Sequence, residues 1–179
     1  QGINFTIDID TSKYIKNDRN FSGRLFVLMN SDTTQLALYW PNTSNPQPAF
    51  ALDVENFIPG HKITIDTAAT KWLHSLEDLE GYYSVSVLFD IDTTLDNLLA
   101  PGNLVSDKQI IRIEKGKKQT FNFKIDYPIY PYPFNETDLL KEIQIESKLL
   151  TDFYGTPSKI TGAVILPKSY YRDTTKTYP

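Results

Sequence analysis

The chain has 179 residues, 40% hydrophobic and 22% charged, which is enough for one folded domain with a real core and too little for two large ones. Its net charge of -4 gives no field to draw a phosphate backbone or an anionic bilayer, so no nucleic-acid partner is expected. With no cysteine, disulfides, zinc thiolates and a cysteine nucleophile are excluded, and no run approaches the ~18 apolar residues of a membrane-spanning helix.

From the N-terminus the dominant period is two. Gln1 follows no basic-then-apolar leader, which fits a mature protein after signal removal as well as a trimmed chain. In Ile3-Asn4-Phe5-Thr6-Ile7-Asp8-Ile9-Asp10 every odd position is apolar and every even one polar, the mark of a half-buried strand. Leu25 to Met29 is apolar throughout, as a strand covered on both faces would be. Lys62 to Asp66 alternates again, and Tyr83, Val85, Val87 and Phe89 form an inward row opposed by Ser84 and Ser86. Further rows stand at Ile111 with Ile113, at Phe121, Phe123 and Ile125, and at Ile143 with Ile145. Turn signals separate them at Pro59-Gly60, Glu80-Gly81, Pro101-Gly102 and Lys115-Gly116-Lys117. Helix candidates are short: 75–79, 94–99 and 136–142.

Residues 1–150 are therefore expected to form an all-β domain, an antiparallel immunoglobulin-like β-sandwich, with a C-terminal extended tail over 151–179. Its core is expected from Phe5, Ile7, Leu25, Val27, Leu52, Val54, Val85, Val87, Phe89, Ile111, Phe121 and Phe123.

Catalytic signals are sparse. No Ser lies in a G-x-S-x-G frame, and His61 and His74, the two histidines, sit singly, one after a Pro-Gly turn and one beside Trp72. No cofactor is expected. Asp90, Asp92 and Asp96 gather oxygen ligands at a strand end, as a calcium loop would, but Thr94 and Leu95 stand where a third ligand and a turn Gly belong. The competing reading is a strand ending in a polar, helix-capping turn. Tyr39, Trp40, Asn42 and Asn45 combine rings with amides, which suits a sugar-binding surface or an ordinary structural loop. The tract Tyr127-Pro128-Ile129-Tyr130-Pro131-Tyr132-Pro133-Phe134 reads as a stiff connector.

Several runs carry a family resemblance. They are Gly23-Arg24-Leu25-Phe26-Val27, Trp40-Pro41-Asn42 through Asn45 to Val54, Pro59-Gly60, Ser84 to Asp90, and Ala100-Pro101-Gly102-Asn103-Leu104. The tail adds Phe153-Tyr154-Gly155-Thr156-Pro157, Gly162-Ala163-Val164-Ile165-Leu166-Pro167, Tyr170 and Tyr178-Pro179. Over most of 20–179 the chain resembles the N-terminal region of bacterial secreted or periplasmic esterases, in which a β-sandwich precedes an α/β-hydrolase domain of the esterase D and enterochelin-esterase type.

The resemblance implies a non-catalytic accessory domain that packs on the hydrolase and shapes substrate access, in the periplasm or outside the cell. Residues 151–179 would be the linker and the first strand and loop of that hydrolase. Its triad and oxyanion glycines would lie beyond Pro179, so no residue here takes those roles. The expected partner is the α/β-hydrolase domain of the same polypeptide, or another copy of this chain, through residues 156–179. Gly162 to Leu166 should then be a strand paired with the sandwich edge, a second copy or the hydrolase, with Val164 and Leu166 out of water. The alternative is a free-standing glycan-binding or adhesion module with carbohydrate as its ligand.

Overall fold

The computed structural model describes residues 2–12, 15, 20–39, 44–91, 97–172, 175 and 177, with Tyr39 described in its backbone alone. In chain order the strands are β1 (Ile3–Ile9), β2 (Phe21–Asn30), β3 (Ala49–Phe57), β4 (Ile63–Ile65), β5 (Thr70–Trp72), β6 (Gly81–Asp90), β7 (Leu104–Ser106), β8 (Gln109–Ile113), β9 (Gln119–Pro128), β10 (Leu140–Glu146) and β11 (Lys159–Ile165). Among the described residues the remaining elements are 3-10 turns at Ala37–Tyr39 and Leu76–Asp78 and one helix, α1 (Lys148–Tyr154). The protein is all-β, as its alternation requires. It divides into two compact units, Gln1–Pro131 and Tyr132–Pro179.

In the first unit the strands join one sheet in the order β4-β1-β9-β7-β6-β2-β3-β5, with β8 also on β6. The expectation of purely antiparallel pairing is corrected at one place: β1 runs parallel to β9, from Ile3 opposite Gln119 to Ile9 opposite Ile125. The cause lies in how β9 divides its pairing. β7 and β8 lie in succession along β6. β9 pairs with β7 through its last residues and with β1 through the rest. Where β9 leaves β8, side-chain amides take over the backbone pairing that adjacent strands would make. Gln119 Nε2 donates to the Arg112 carbonyl at 3.0 Å, Gln109 Nε2 donates to the Asn122 carbonyl at 3.2 Å, and Gln119 Oε1 accepts from the Glu114 N–H at 2.8 Å.

The sheet curls back on itself. Phe5 of β1 and Phe50 of β3 are far apart in strand order, yet their ring centroids are 6.5 Å apart. Every residue of the expected core is in or against this interior, with Leu52 and Phe121 half-buried. Fully covered aliphatic side chains such as Val87 and Leu25 contribute about 1.5–3 kcal/mol each. Gly23 is fixed by a close approach at a register shift in β2: a Cβ there would stand 2.1 Å from the Asp90 carbonyl oxygen. The expected 75–79 helix is realised as the 3-10 turn at Leu76–Asp78. Part of the 94–99 candidate lies outside the described residues.

The second unit corrects the extended tail. β11 pairs antiparallel with β10, from Leu140 opposite Ile165 to Glu146 opposite Lys159. Its partner is thus a neighbouring segment of the same chain, and the boundary expected at 150 falls inside the unit. The row Ile143 and Ile145, assigned from sequence to the sandwich, lies in this hairpin. The expected 136–142 helix is instead a turn leading into β10, where Glu136 accepts from the Glu142 N–H at 2.9 Å and Thr137 Oγ1 accepts from the Leu140 N–H at 3.0 Å. Between β10 and β11 the chain forms α1, unforeseen from sequence. The Ser147 side chain caps its N-terminus through the Leu150 N–H, and Gly155, at φ 68°, closes it with its N–H on the Thr151 carbonyl. Of the two side chains expected out of water, Val164 is exposed, at 37%, and Leu166 is half-buried.

Candidate functional site

The even positions of β2 and their partners line the outer face of the large sheet. Arg24 pairs with Asp53, Phe26 with Ala51 and Leu28 with Ala49, while Thr70 and Trp72 of β5 extend the last two rows. Part of this face is roofed. Leu28, Ala49 and Leu88 form a second small core with Ala37, against which Leu38, Leu98, Leu99 and Ile129 pack. Toward β5 the roof ends, leaving an open groove of about 340 Å³ lined by Arg24, Phe26, Ala49, Phe50, Ala51, Thr70, Lys71 and Trp72. Ala49 and Ala51 give it a flat floor, and the Trp72 side chain is 55% exposed at one end. At the other end the Arg24 guanidinium lies 5.9 Å from the Phe26 ring centroid, and its Nε is 3.6 Å from Asp53 Oδ1.

The aromatic loop read from sequence begins and ends on this face. Ala37 and Leu38 enter the small core at its start. At its end the Pro48 carbonyl accepts from the Met29 N–H at 3.1 Å, and Gln47 Oε1 accepts from both the Ser31 N–H and the Ser31 hydroxyl at 2.9 Å. Asn45 is exposed. Trp40, Asn42 and the ring of Tyr39 lie outside the described residues. Sequence reading passed over Trp72, although Thr70 and Trp72 stand two apart after a turn-rich run and so share a strand face.

The Asp90 carboxylate serves as an anchor. Its Oδ1 accepts from Asn103 Nδ2 at 2.8 Å; Asn103 is fully buried, donates also to the Leu98 carbonyl at 3.1 Å, and accepts from the Ile91 N–H at 2.9 Å. This amide ties the end of β6 to the turn before β7. Asp92 and Asp96 lie outside the described residues, and among the described residues no three His, Cys, Asp or Glu side chains are placed to share a metal. His61 and His74 are exposed turn residues whose backbone N–H groups close onto Ile58 and Trp72.

Among the described residues five carboxylates are held below their ordinary range: Asp10, Asp32, Asp78, Glu114 and Glu136. Asp10, at the end of β1, is lowered to about 2, chiefly by hydrogen bonds from Ser12 and then by Lys124 of β9. In the second unit Glu136 is lowered by the Glu142 N–H first and Lys141 second. No helix among the described residues is long and apolar enough to cross a membrane. Comparison with family models, curated proteins and solved structures found no match.

Proposed function

We propose that residues 1–131 are the non-catalytic accessory domain of an esterase-like α/β-hydrolase working in the periplasm or outside the cell, and that the second unit is the seat of the hydrolase sheet. The observation that carries this reading is one largely apolar face of the hairpin. By its register, Leu140, Glu142, Gln144, Glu146, Lys159, Thr161, Ala163 and Ile165 share one face, while the other carries Lys141 and Gly162 beside Ile143, Ile145, Ile160 and Val164. These four apolar side chains are 37–58% exposed. A two-stranded ribbon is marginal in water, and an apolar face on it calls for a covering layer. Helices or strands of a catalytic domain packed there would supply one, and the resemblance of 153–170 to a hydrolase entry points the same way. The first unit offers no nucleophile elbow and no histidine paired for catalysis among its described residues, so chemistry would belong to the covering domain.

The test is the natural reading frame expressed in full. A polypeptide that continues past Pro179 through a G-x-S-x-G elbow and hydrolyses p-nitrophenyl acetate, while the 179-residue chain does not, supports the proposal. Hydrogen exchange of the 140–146 and 159–165 amides should be slower in the longer protein. Equal exchange in the two, or steady turnover by the 179-residue chain that repurification retains, overturns it.

A further inference from the structure

The groove at the β5 edge has a chemistry of its own, independent of the accessory-domain reading. Its register fixes the spacing. Trp72 stands opposite Ala49 and Leu28, and four residues along β2 the Arg24–Asp53 pair closes the other end. At 3.3–3.4 Å per residue that separation is about 13 Å, room for a ligand of two or three ring-sized units. The floor between is made of Ala49, Ala51 and Phe26, with Thr70 and Lys71 on the β5 side. The volume, about 340 Å³, lies in the range of small-ligand sites.

The polar end selects the ligand. Arg24 presents donors only and an ionised Asp53 acceptors only, and both reach water, with side chains 40% and 78% exposed. An anionic ligand placed there meets Asp53, and a cationic one meets Arg24. A pair of neighbouring hydroxyls, each both donor and acceptor, satisfies the two together. At the other end an exposed indole offers a broad apolar plate for the C–H face of a sugar ring. A peptide added to the β5 edge would gain little, because that strand is three residues long.

We propose that this groove binds a neutral oligosaccharide, with one pyranose ring on Trp72 and a vicinal diol on the Arg24–Asp53 pair. The experiment is calorimetric titration of the 179-residue chain with cellotriose, xylotriose, maltotriose and mannotriose, with trigalacturonate and chitosan trimer as charged counterparts. At least one neutral trisaccharide should bind, its affinity falling ~10-fold or more in Trp72→Ala and again in Asp53→Asn. Both positions are exposed, so both variants should keep the parent melting temperature. Amide shift perturbations in the unaltered protein give a reading that needs no variant, and they should centre on Ala49, Ala51 and Thr70. Binding of none of the neutral sugars overturns the proposal, as does a preference for the charged ones, undiminished binding by Trp72→Ala, or perturbations centred elsewhere.

Discussion

The two units obey one local rule and meet different fates. β1 alternates buried and half-buried residues along its whole length, and its odd positions lie in the core. β11 is of the same length and sets Ile160 and Val164 on one face and Lys159, Thr161, Ala163 and Ile165 on the other, yet all its residues except Gly162 are exposed. Period two therefore specifies a strand with two unlike faces. Whether the apolar face is covered depends on how many other faces the chain can bring to it: most strands of the first unit share one interior, whereas the hairpin has two strands and a short helix.

The largest way to test that contrast is a charge in each unit. Val87 is fully buried in the middle of β6, and an unpaired carboxylate there costs several kcal/mol, on the scale of a domain's whole stability. Val87→Asp should abolish the cooperative melt of the protein. Ile145→Asp, at a position 58% exposed, should leave that melt in place. A Val87→Asp variant melting within a degree or two of the parent would mean that the interior is misassigned.

Glycine gives a smaller version of the same comparison. Ala at 23 drives a Cβ onto the Asp90 carbonyl oxygen, and the backbone must yield at a cost of about 3 kcal/mol. Ala at 162 meets the Ile143 side chain at 3.7 Å, an ordinary contact. Thermal melts should show Gly23→Ala lowered by roughly 10 °C and Gly162→Ala unchanged. Smaller again is Asn103→Ala, which strips the Asp90 carboxylate, the Ile91 N–H and the Leu98 carbonyl of a shared partner and should cost about 2 kcal/mol by chemical denaturation.

Much of the first unit was legible because burial there follows alternation, and each core residue named from its period lies in or against the interior. The parallel β1–β9 pairing was not legible, since period says nothing of which strand lies alongside. Nor was the role of Asn103, whose three contacts come from segments that meet only in the fold. The groove was not legible. The sequence offered Tyr39, Trp40, Asn42 and Asn45 as a sugar-binding surface or an ordinary structural loop, whereas Trp72 and the Arg24–Asp53 pair become one surface through the β2–β3–β5 register, which no local stretch contains. In the second unit the connector hid the hairpin: the Leu140–Glu146 strand follows a Pro-Tyr tract and so read as the end of what came before it. The caps of α1, Ser147 and Gly155, were readable, but seven residues gave no period long enough to weigh.

The smallest expected effect is a proton, and it asks whether the hairpin keeps its turn in solution without a covering domain. Asp10 in the first unit and Glu136 in the second both have lowered values. For each, the folded form holds its proton less tightly than the unfolded form. The stabilisation is therefore complete above the ordinary carboxylate value, and it is lost as pH falls through the folded one. For Asp10 that window runs from 3.8 down to about 2; for Glu136 it lies below 4.5. Carboxyl-detected NMR titration of the 179-residue chain should find Asp10 near 2, because Ser12 donates to it in a local turn and the β1–β9 pairing brings Lys124 beside it. Glu136 depends on the Glu142 N–H, which is placed by the turn into β10. If that turn is formed in the isolated chain, Glu136 titrates below its ordinary value; if the turn needs a partner to hold it, Glu136 titrates as a free glutamate while Asp10 remains shifted. The first outcome makes the hairpin a pre-formed platform, and the second makes it a segment ordered by what docks on it. An unshifted Asp10 would count against the Ser12 turn that follows β1 and against the Lys124 contact.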